Sequence, residues 1–268
     1  MQNRLIGLTV ALVAMVALSP NLPAQTATEH GAAKAQQLNT ASHAPDFSGL
    51  WTPRPDGIML NTWDSSDPYG KKPELAPMVP WAAAKWKEAR PPFGAKQTFE
   101  GINDPVQRYC DPPGITRIYM YPWEFTMIQT PKMVYILYEF TRVWRSIAMV
   151  PEHRKDPDPT WLGDSIGRYE GDTFVIDTIA FNDKTWLDHT GHPHSDALHV
   201  IERFRRVDHD TLELAVTIED PKAYTKSFSG KKYFIATMSP MEESICAYSE
   251  YDAFQKTVID PATKSPGK

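Results

Sequence analysis

The sequence predicts a mostly β protein in which an antiparallel meander closes into a barrel. Three observations support this prediction. The chain from residue 117 to 239 consists of runs rich in β-branched and aromatic residues, and short turn sequences separate them. No helical segment is long enough to cover both faces of a sheet. About eight strands joined by tight turns would leave exposed edges, and closure into a barrel removes those edges.

The strands and turns follow one another closely. The strand-like runs are RIYMYPWEFTMIQT, MVYILYEFTRVWRSIAMV, SIGRYEGDTFVIDTIAF, ALHVIERFRRVDHDTLELAVTIED and YTKSFSGKKYFIATMSP. Turn residues predict turns at 130–133, 170–173, 208–211 and 229–232. In TLELAVTIED, apolar and polar residues alternate, which places one face in the core. Within 196–206 the same alternation puts Glu202 among apolar neighbours and His199 on the opposite face.

The first residues indicate export. Residues 1–27 contain Arg4, an apolar run from Leu5 to Leu18, and then Pro20 with small residues nearby. An apolar run of about 14 residues is too short for a bilayer, which needs about 20. We therefore expect a signal peptide over 1–27, no membrane span, and a periplasmic or secreted mature protein.

The rest of the chain is predicted to form one domain. Residues 28–45 are small and polar without periodicity, which is typical of a disordered segment. The barrel domain is expected over 46–255. It includes a proline-rich, irregular N-terminal layer at 52–115, with one short helix in PWAAAKWKEAR that begins at Pro80. Residues 256–268 are expected to be a flexible tail.

Cysteine content and charge limit the possible functions. The chain has two cysteines, Cys110 and Cys246. In an oxidising compartment a disulfide between them is the expected state, and two buried thiols are the alternative. The formal net charge is −5 at pH 7, which argues against a nucleic-acid partner because phosphate binding needs a basic face.

Two resemblances add to this prediction. The segment DFSGLW looks like the Gly-x-Trp motif in the first strand of lipocalin-like (calycin) barrels, with Gly49 and Trp51 at the motif positions. This resemblance implies a lipocalin-like barrel whose base the tryptophan closes. Segments including QTPKMVYILYE, DPTWLGDSIGRYEGDTFVIDTIAFNDKTWLD and TIEDPKAY are similar to a large family of exported bacterial proteins of uncharacterised activity. That similarity runs from about residue 46 to 250 and implies no particular reaction.

The stretch WLDHTGHPHSDALHVIERFRR, residues 186–206, concentrates the candidate chemistry. It holds four histidines and three carboxylates. A histidine paired with a carboxylate at a barrel mouth can transfer protons near pH 7. Because strand alternation disfavours a simple pair of His199 with Glu202, we expect His194 to meet Glu202 or Glu139. The predicted catalytic residues are His194, Glu202, His199, Asp188, Glu139 and Arg145.

Two other interpretations of this stretch remain open. His192, His194 and His199 are possible ligands of a zinc ion with an open coordination position, although their spacing matches no standard zinc motif. The expected cofactor is therefore none, with zinc as the alternative. In the third interpretation, the loop histidines and Asp188 satisfy backbone groups, and Glu202 forms a structural salt bridge with Arg142, Arg145 or Arg203.

Aromatic residues indicate the kind of molecule that the barrel would bind. The candidates for lining a cavity for a small apolar or aromatic molecule are Trp123, Tyr135, Tyr138, Trp144, Trp161 and Trp186, with core packing as the alternative. Motifs of serine hydrolases, phosphate-binding loops and thioredoxins are missing from the sequence. The sequence thus predicts an exported small-molecule-binding barrel protein that acts as a lyase, isomerase or hydrolase. The alternatives are a non-catalytic periplasmic carrier and a zinc-dependent enzyme.

Overall fold

A computed structural model describes residues 45–54, 77–90 and 102–247, together with the isolated residues 253, 256 and 257. Three predicted segments lie outside the described residues, the last of them nearly entirely. They are the predicted signal peptide at 1–27, the segment predicted to be disordered, up to residue 44, and the predicted tail at 256–268. Two parts of the proline-rich layer, 55–76 and 91–101, also lie outside them.

Nine strands form a closed barrel in the order in which they occur along the chain. They are β1 (Gly49–Pro53), β2 (Phe125–Gln129), β3 (Met133–Tyr138), β4 (Trp144–Ala148), β5 (Asp164–Glu170), β6 (Thr173–Ile179), β7 (His199–Arg206), β8 (Thr211–Glu219) and β9 (Phe228–Ala236). β1 pairs with β2 on one side and with β9 on the other, which closes the barrel. The predicted lipocalin-like barrel is confirmed.

One contact between neighbouring strands departs from the predicted antiparallel order. β4 and β5 run parallel, and a single residue pair, Ala148 with Ile166, joins them. The segment between these strands, residues 149–163, is too long for a tight turn and returns the chain to the same end of the barrel. A parallel neighbour requires such a crossover, whereas a hairpin would reverse the chain direction. We refer to this contact as the β4–β5 seam.

Three of the four predicted turns are confirmed, between β2 and β3, between β5 and β6, and between β7 and β8. The predicted turn at 229–232 is wrong, because these residues lie inside β9 and pair in register with β8. Gly230 and its polar neighbours favour a turn locally. Pairing along the full length of β8 outweighs this preference, as tertiary context commonly does in sheets.

The barrel interior is largely apolar. The four positions predicted to face the core in β8 are all buried, namely Leu212, Leu214, Val216 and Ile218. Trp51 of β1 is fully buried, its Nε1 donates to the Phe47 carbonyl at 3.1 Å, and the Arg206 guanidinium lies over its ring at 5.2 Å. Tyr119 packs edge-on against three phenylalanines, Phe125, Phe204 and Phe234.

Three short helices precede β2 in the described part of the proline-rich layer: α1 (Pro80–Glu88), α2 (Pro105–Tyr109) and α3 (Ile115–Ile118). The sequence predicted α1 but missed the other two. Asp104 caps α2 by accepting a hydrogen bond from the Val106 backbone N–H at 3.0 Å. A 3₁₀ turn, Phe140–Arg142, links β3 and β4. Within the described ranges, no helix has the length and apolar character needed to cross a membrane.

The predicted disulfide is present. Cys110 and Cys246 are bonded, with their Cα atoms 5.5 Å apart. Cys110 ends α2 and Cys246 follows β9, so the bond joins the helical layer to the segment beyond the last strand.

We expect the double substitution C110S/C246S to lower the free energy of unfolding by about 2–5 kcal/mol. The bond joins residues 136 positions apart and restricts the unfolded chain over that length. Urea denaturation of the oxidised protein and of the variant measures the difference. Reduced wild-type protein is the matched control and should unfold like the variant. Equal stability of the oxidised and reduced forms would contradict the expectation.

Candidate functional site

The segment between β6 and β7 folds back on itself as a hairpin over residues 185–194. An isolated antiparallel bridge pairs Trp186 with Pro193. The Leu187 backbone N–H donates to the His192 carbonyl at 2.9 Å. This register places residue 185 opposite residue 194.

The turn of this hairpin depends on an aspartate and a glycine. Asp188 Oδ1 accepts a hydrogen bond from the Thr190 backbone N–H at 2.8 Å, which is the pattern of an Asx turn. Gly191 has a φ of +90°, and a Cβ on this residue would lie 2.2 Å from the Cβ of Ala89, just beyond α1. Only glycine allows the hairpin to approach α1 so closely.

Asp188 also orients His192. The His192 Nδ1 lies 2.7 Å from Asp188 Oδ2, and its ring stacks on Trp86 of α1 with centroids 5.0 Å apart. Burial alone would raise the pKa of Asp188, but the charge and hydrogen bond of His192 and the hydrogen bonds of Thr190 hold that pKa below its usual value. The ionised carboxylate can only accept, so Nδ1 carries a proton. When the His192 ring is neutral, Nε2 is therefore its basic nitrogen.

The Nε2 atom of His192 is the nitrogen that Asp188 does not contact. It has no hydrogen-bond partner in the part of the chain that the structure describes. The side chain is mostly buried but keeps 6% of its exposure. The arrangement is that of a carboxylate that fixes the tautomer of an imidazole and leaves the far nitrogen as a base.

His194 bonds to the hydroxyl of Thr185. The His194 Nε2 lies 2.6 Å from Thr185 Oγ1, and Nδ1 lies 3.0 Å from the Ser195 carbonyl oxygen. Burial lowers the pKa of His194. The predicted meeting of His194 with Glu202 or Glu139 is therefore wrong, because the hairpin register holds its ring against Thr185.

A half-open cleft of about 420 Å³ lies beside the hairpin. α1, α2 and the residues before β7 form its walls. The cleft carries charges of both signs and two aromatic rings, from Lys85, Glu88, Tyr109, Asp111, Asp183, Lys184 and Trp186, and Thr185 also lines it. Its volume is within the range of small-molecule sites.

A buried ion pair supports one wall of this cleft. Arg117 of α3 donates two hydrogen bonds to Asp104, at 2.8 and 2.5 Å, and both side chains are fully buried. The Arg117 guanidinium lies 5.5 Å from the Trp186 ring centroid and 5.6 Å from that of Tyr121. Its Nη2 is 3.5 Å from His189 Nδ1, and burial together with the Arg117 charge lowers the pKa of His189.

Glu202 and Arg145 meet inside the barrel. Arg145 Nη1 lies 2.8 and 3.0 Å from the two Glu202 oxygens, and the Tyr119 hydroxyl donates to Glu202 Oε1 at 2.6 Å. Arg145 Nη2 donates to Ser165 and Thr178 at 3.0 and 3.1 Å. The inward position of Glu202 is confirmed, and so is its salt bridge with Arg145. Both oxygens of this carboxylate accept hydrogen bonds from protein donors, which is typical of a structural pair.

His199 lies on the outer face of β7, as the alternation predicted. Its Nε2 is 2.9 Å from Asp177 Oδ1, and its Nδ1 is 3.1 Å from Glu219 Oε2. His153 extends this series of hydrogen-bonded side chains, with Nε2 3.0 Å from Asp177 and Nδ1 3.0 Å from Asp164. Burial opposes ionisation of Asp177, but hydrogen bonds from both histidines lower its pKa.

The three histidines considered as zinc ligands do not converge. His192 bonds to Asp188 and His194 to Thr185, while His199 lies outside the barrel. Over residues 45–54, 77–90 and 102–247, no three His, Cys, Asp or Glu side chains form a group that could hold a metal ion. These histidines therefore do not fit a shared zinc site.

The remaining predicted residues are scattered. Trp186 lines the cleft, as expected of a ligand-binding residue. Tyr138 faces the barrel interior, 2.8 Å from the Tyr119 hydroxyl. Glu139 follows β3, where burial and the neighbouring Glu124 raise its pKa. Four of the predicted aromatic residues keep some solvent exposure and line no part of this cleft: Trp123, Tyr135, Trp144 and Trp161.

Sequence analysis missed the partnership of Thr185 with His194 and did not pair Asp188 with His192. A local signal was present in DHTGH, since an aspartate three residues before a glycine is typical of a tight turn. A turn centred there pairs Thr185 with His194 by register.

No protein-family model matches the chain, and no curated protein matches it. The resemblance to exported bacterial proteins stays a prediction.

We expect R145M and E202L to lower the free energy of unfolding by about 3–5 kcal/mol each, because either change leaves a buried charge without its partner. The double variant R145M/E202L should lose much less than the sum of the two. Urea denaturation of the four proteins completes the cycle. Additive losses would show that the two residues do not act as a pair.

We also expect D188N to change how stability depends on pH. The folded pKa of Asp188 is depressed, so its ionisation stabilises the fold above the unfolded pKa of about 3.9. This stabilisation is lost as the pH falls from about 4 toward the folded pKa. The gap in unfolding free energy between wild type and D188N should therefore narrow below pH 4. Denaturation at pH 7, 4 and 3 measures it, with D172N in the exposed β5–β6 turn as control, and a constant gap would contradict the expectation.

Proposed function

We propose that this chain is an exported barrel protein that binds a small molecule in the cleft beside the 185–194 hairpin and acts on it by histidine–carboxylate chemistry. His192 is the general base, and Asp188 holds its tautomer. The observation that carries the proposal is the Asp188–His192 pair, in which Nδ1 meets the carboxylate and Nε2 has no partner among the described residues.

The position of His192 supports its role as a base. Its ring stacks on Trp86, and the same helix, α1, contributes Lys85 and Glu88 to the cleft. Pro193, the next residue, lines the cleft itself. His192 is therefore adjacent to the cleft, and a neutral imidazole is the usual general base at pH 7. None of the other predicted histidines combines a carboxylate partner on one nitrogen with an open second nitrogen.

The lining of the cleft indicates the class of ligand. Trp186 and Tyr109 offer aromatic surfaces, and charged groups of both signs, Lys85, Lys184, Glu88 and Asp111, line the same space. A flat aromatic molecule with polar substituents matches both features. This ligand is more polar than the one that the sequence predicted, because the cleft lies outside the apolar barrel interior.

Two further observations support export. The disulfide between Cys110 and Cys246 is typical of proteins that work in oxidising compartments. The N-terminal 27 residues have the composition of a signal peptide.

The test uses 5-nitrobenzisoxazole, a flat aromatic compound from which a base removes the C3 proton as the ring N–O bond breaks to give a coloured cyanophenolate. We expect the protein to accelerate this elimination and H192Q to lower the rate by roughly 100-fold. H209Q is the matched control, because His209 lies in the β7–β8 turn and is 91% exposed.

The alternative is a carrier that binds the same compound without acting on it. Quenching of tryptophan fluorescence by the compound measures binding separately from turnover. Binding without acceleration, or equal rates for wild type and H192Q, would rule out the role of His192 as a base. Binding that is abolished by W186A but unaffected by H192Q would then favour the carrier.

A further inference from the structure

We propose that Thr185 is a site of acyl transfer, at which His194 activates the threonine hydroxyl toward an activated ester bound in the cleft. The inference goes beyond the proposed function, since it involves neither Asp188 nor His192 and concerns covalent rather than acid–base chemistry. The two proposals share only the cleft.

The hydrogen bonds of His194 define which atom gives up a proton. Nδ1 lies 3.0 Å from the Ser195 carbonyl oxygen, which can only accept, so Nδ1 carries the proton of the neutral ring. Nε2 therefore presents its lone pair to Thr185 Oγ1 at 2.6 Å and accepts the hydroxyl proton. A hydroxyl, a neutral imidazole and a third group that orients the imidazole are the components of nucleophilic catalysis.

Thr185 belongs to the wall of the cleft, whereas His194 does not. Thr185 lines the cleft between Lys184 and Trp186 and is 6% exposed, while His194 is not among the lining residues and is 1% exposed. A molecule in the cleft therefore meets the threonine before the imidazole. The hydroxyls of Ser165 and Thr178 differ in this respect, because they bond to Arg145 inside the barrel and line no part of the cleft.

Gly114 holds the threonine in this orientation. It has a φ of +83°, and a Cβ at this position would lie 2.7 Å from Thr185 Oγ1. The backbone before α3 thus packs directly against the Thr185 side chain. A side chain held between a glycine and a base has little freedom to turn away, and such preorganisation favours a reaction at that atom.

Two lysines among the mixed charges of the cleft favour an ester as the substrate. Lys85 and Lys184 line the cleft, and Lys85 lies near enough to His194 to contribute to lowering its pKa. Cations beside the nucleophile stabilise the negative charge that develops on a carbonyl oxygen during acyl transfer. Trp186 offers a surface for an aromatic leaving group. The substrate class is therefore an aryl ester.

The step balances without a further reactant. Thr185 Oγ bonds to the acyl carbon, and its proton passes to His194 Nε2. The bond between the acyl carbon and the phenolic oxygen breaks, and the phenol leaves with the proton from His194. Water then hydrolyses the threonine ester and restores both residues.

The experiment treats the full chain with p-nitrophenyl acetate, follows release of p-nitrophenolate, and maps acetyl groups on tryptic peptides. Cleavage after Lys184 and Arg203 gives the peptide TWLDHTGHPHSDALHVIER, whose first residue is Thr185. We expect acetylation of residue 185 in the wild type and in T185S. T185V should show none, and H194Q should react roughly 100-fold more slowly. T217V, on the outer face of β8, is the matched control.

The wild-type protein alone decides the outcome if a variant fails to fold. Acetyl groups found only on lysines or on other histidines, with residue 185 unmodified, would overturn the proposal and leave the Thr185–His194 hydrogen bond as a structural contact. The rate should also reach its plateau at a lower pH than an imidazole of ordinary pKa would give, because burial lowers the pKa of His194. Failure of this test leaves the elimination assay of His192 unaffected, so the two proposals are judged separately.

Discussion

Arg145 and Glu202 place two opposite charges inside the barrel, where neither can be exposed to water without opening a strand. Each must therefore be neutralised by the other and by further hydrogen bonds. The partners that meet this need come from β4, β5, β6 and β7, together with Tyr119 after α3. The pair thus determines how four strands are arranged around one point, and the aromatic core around Tyr119 packs on that arrangement.

A second buried ion pair, Arg117 with Asp104, determines how the helical layer is arranged, as Arg145 and Glu202 determine the arrangement of the strands. Asp104 caps α2, Arg117 belongs to α3, and the guanidinium supports Trp186 in the hairpin. Two consecutive helices and a hairpin much later in the chain therefore share one buried cation. The cleft therefore lies between the helical layer and the hairpin, and the barrel supports both of them.

Local patterns predicted the parts of the structure that depend on local rules. Alternation along β7 placed Glu202 inside and His199 outside, because successive side chains of a strand point to opposite faces. The 185–194 hairpin follows no such periodicity. Its course depends on the approach of Gly191 to Ala89, about 100 residues earlier in the chain, and no local pattern encodes that contact. Sequence analysis therefore found the right residue types for the site but paired them wrongly.

The β4–β5 seam gives the barrel a feature that its strand count does not reveal. One residue pair joins the backbones of these strands, and inside the barrel the Arg145 side chain of β4 donates a hydrogen bond to Ser165 of β5. The ring of nine strands is thus closed, at the contact with the fewest backbone pairs, by a buried charged side chain as much as by the main chain.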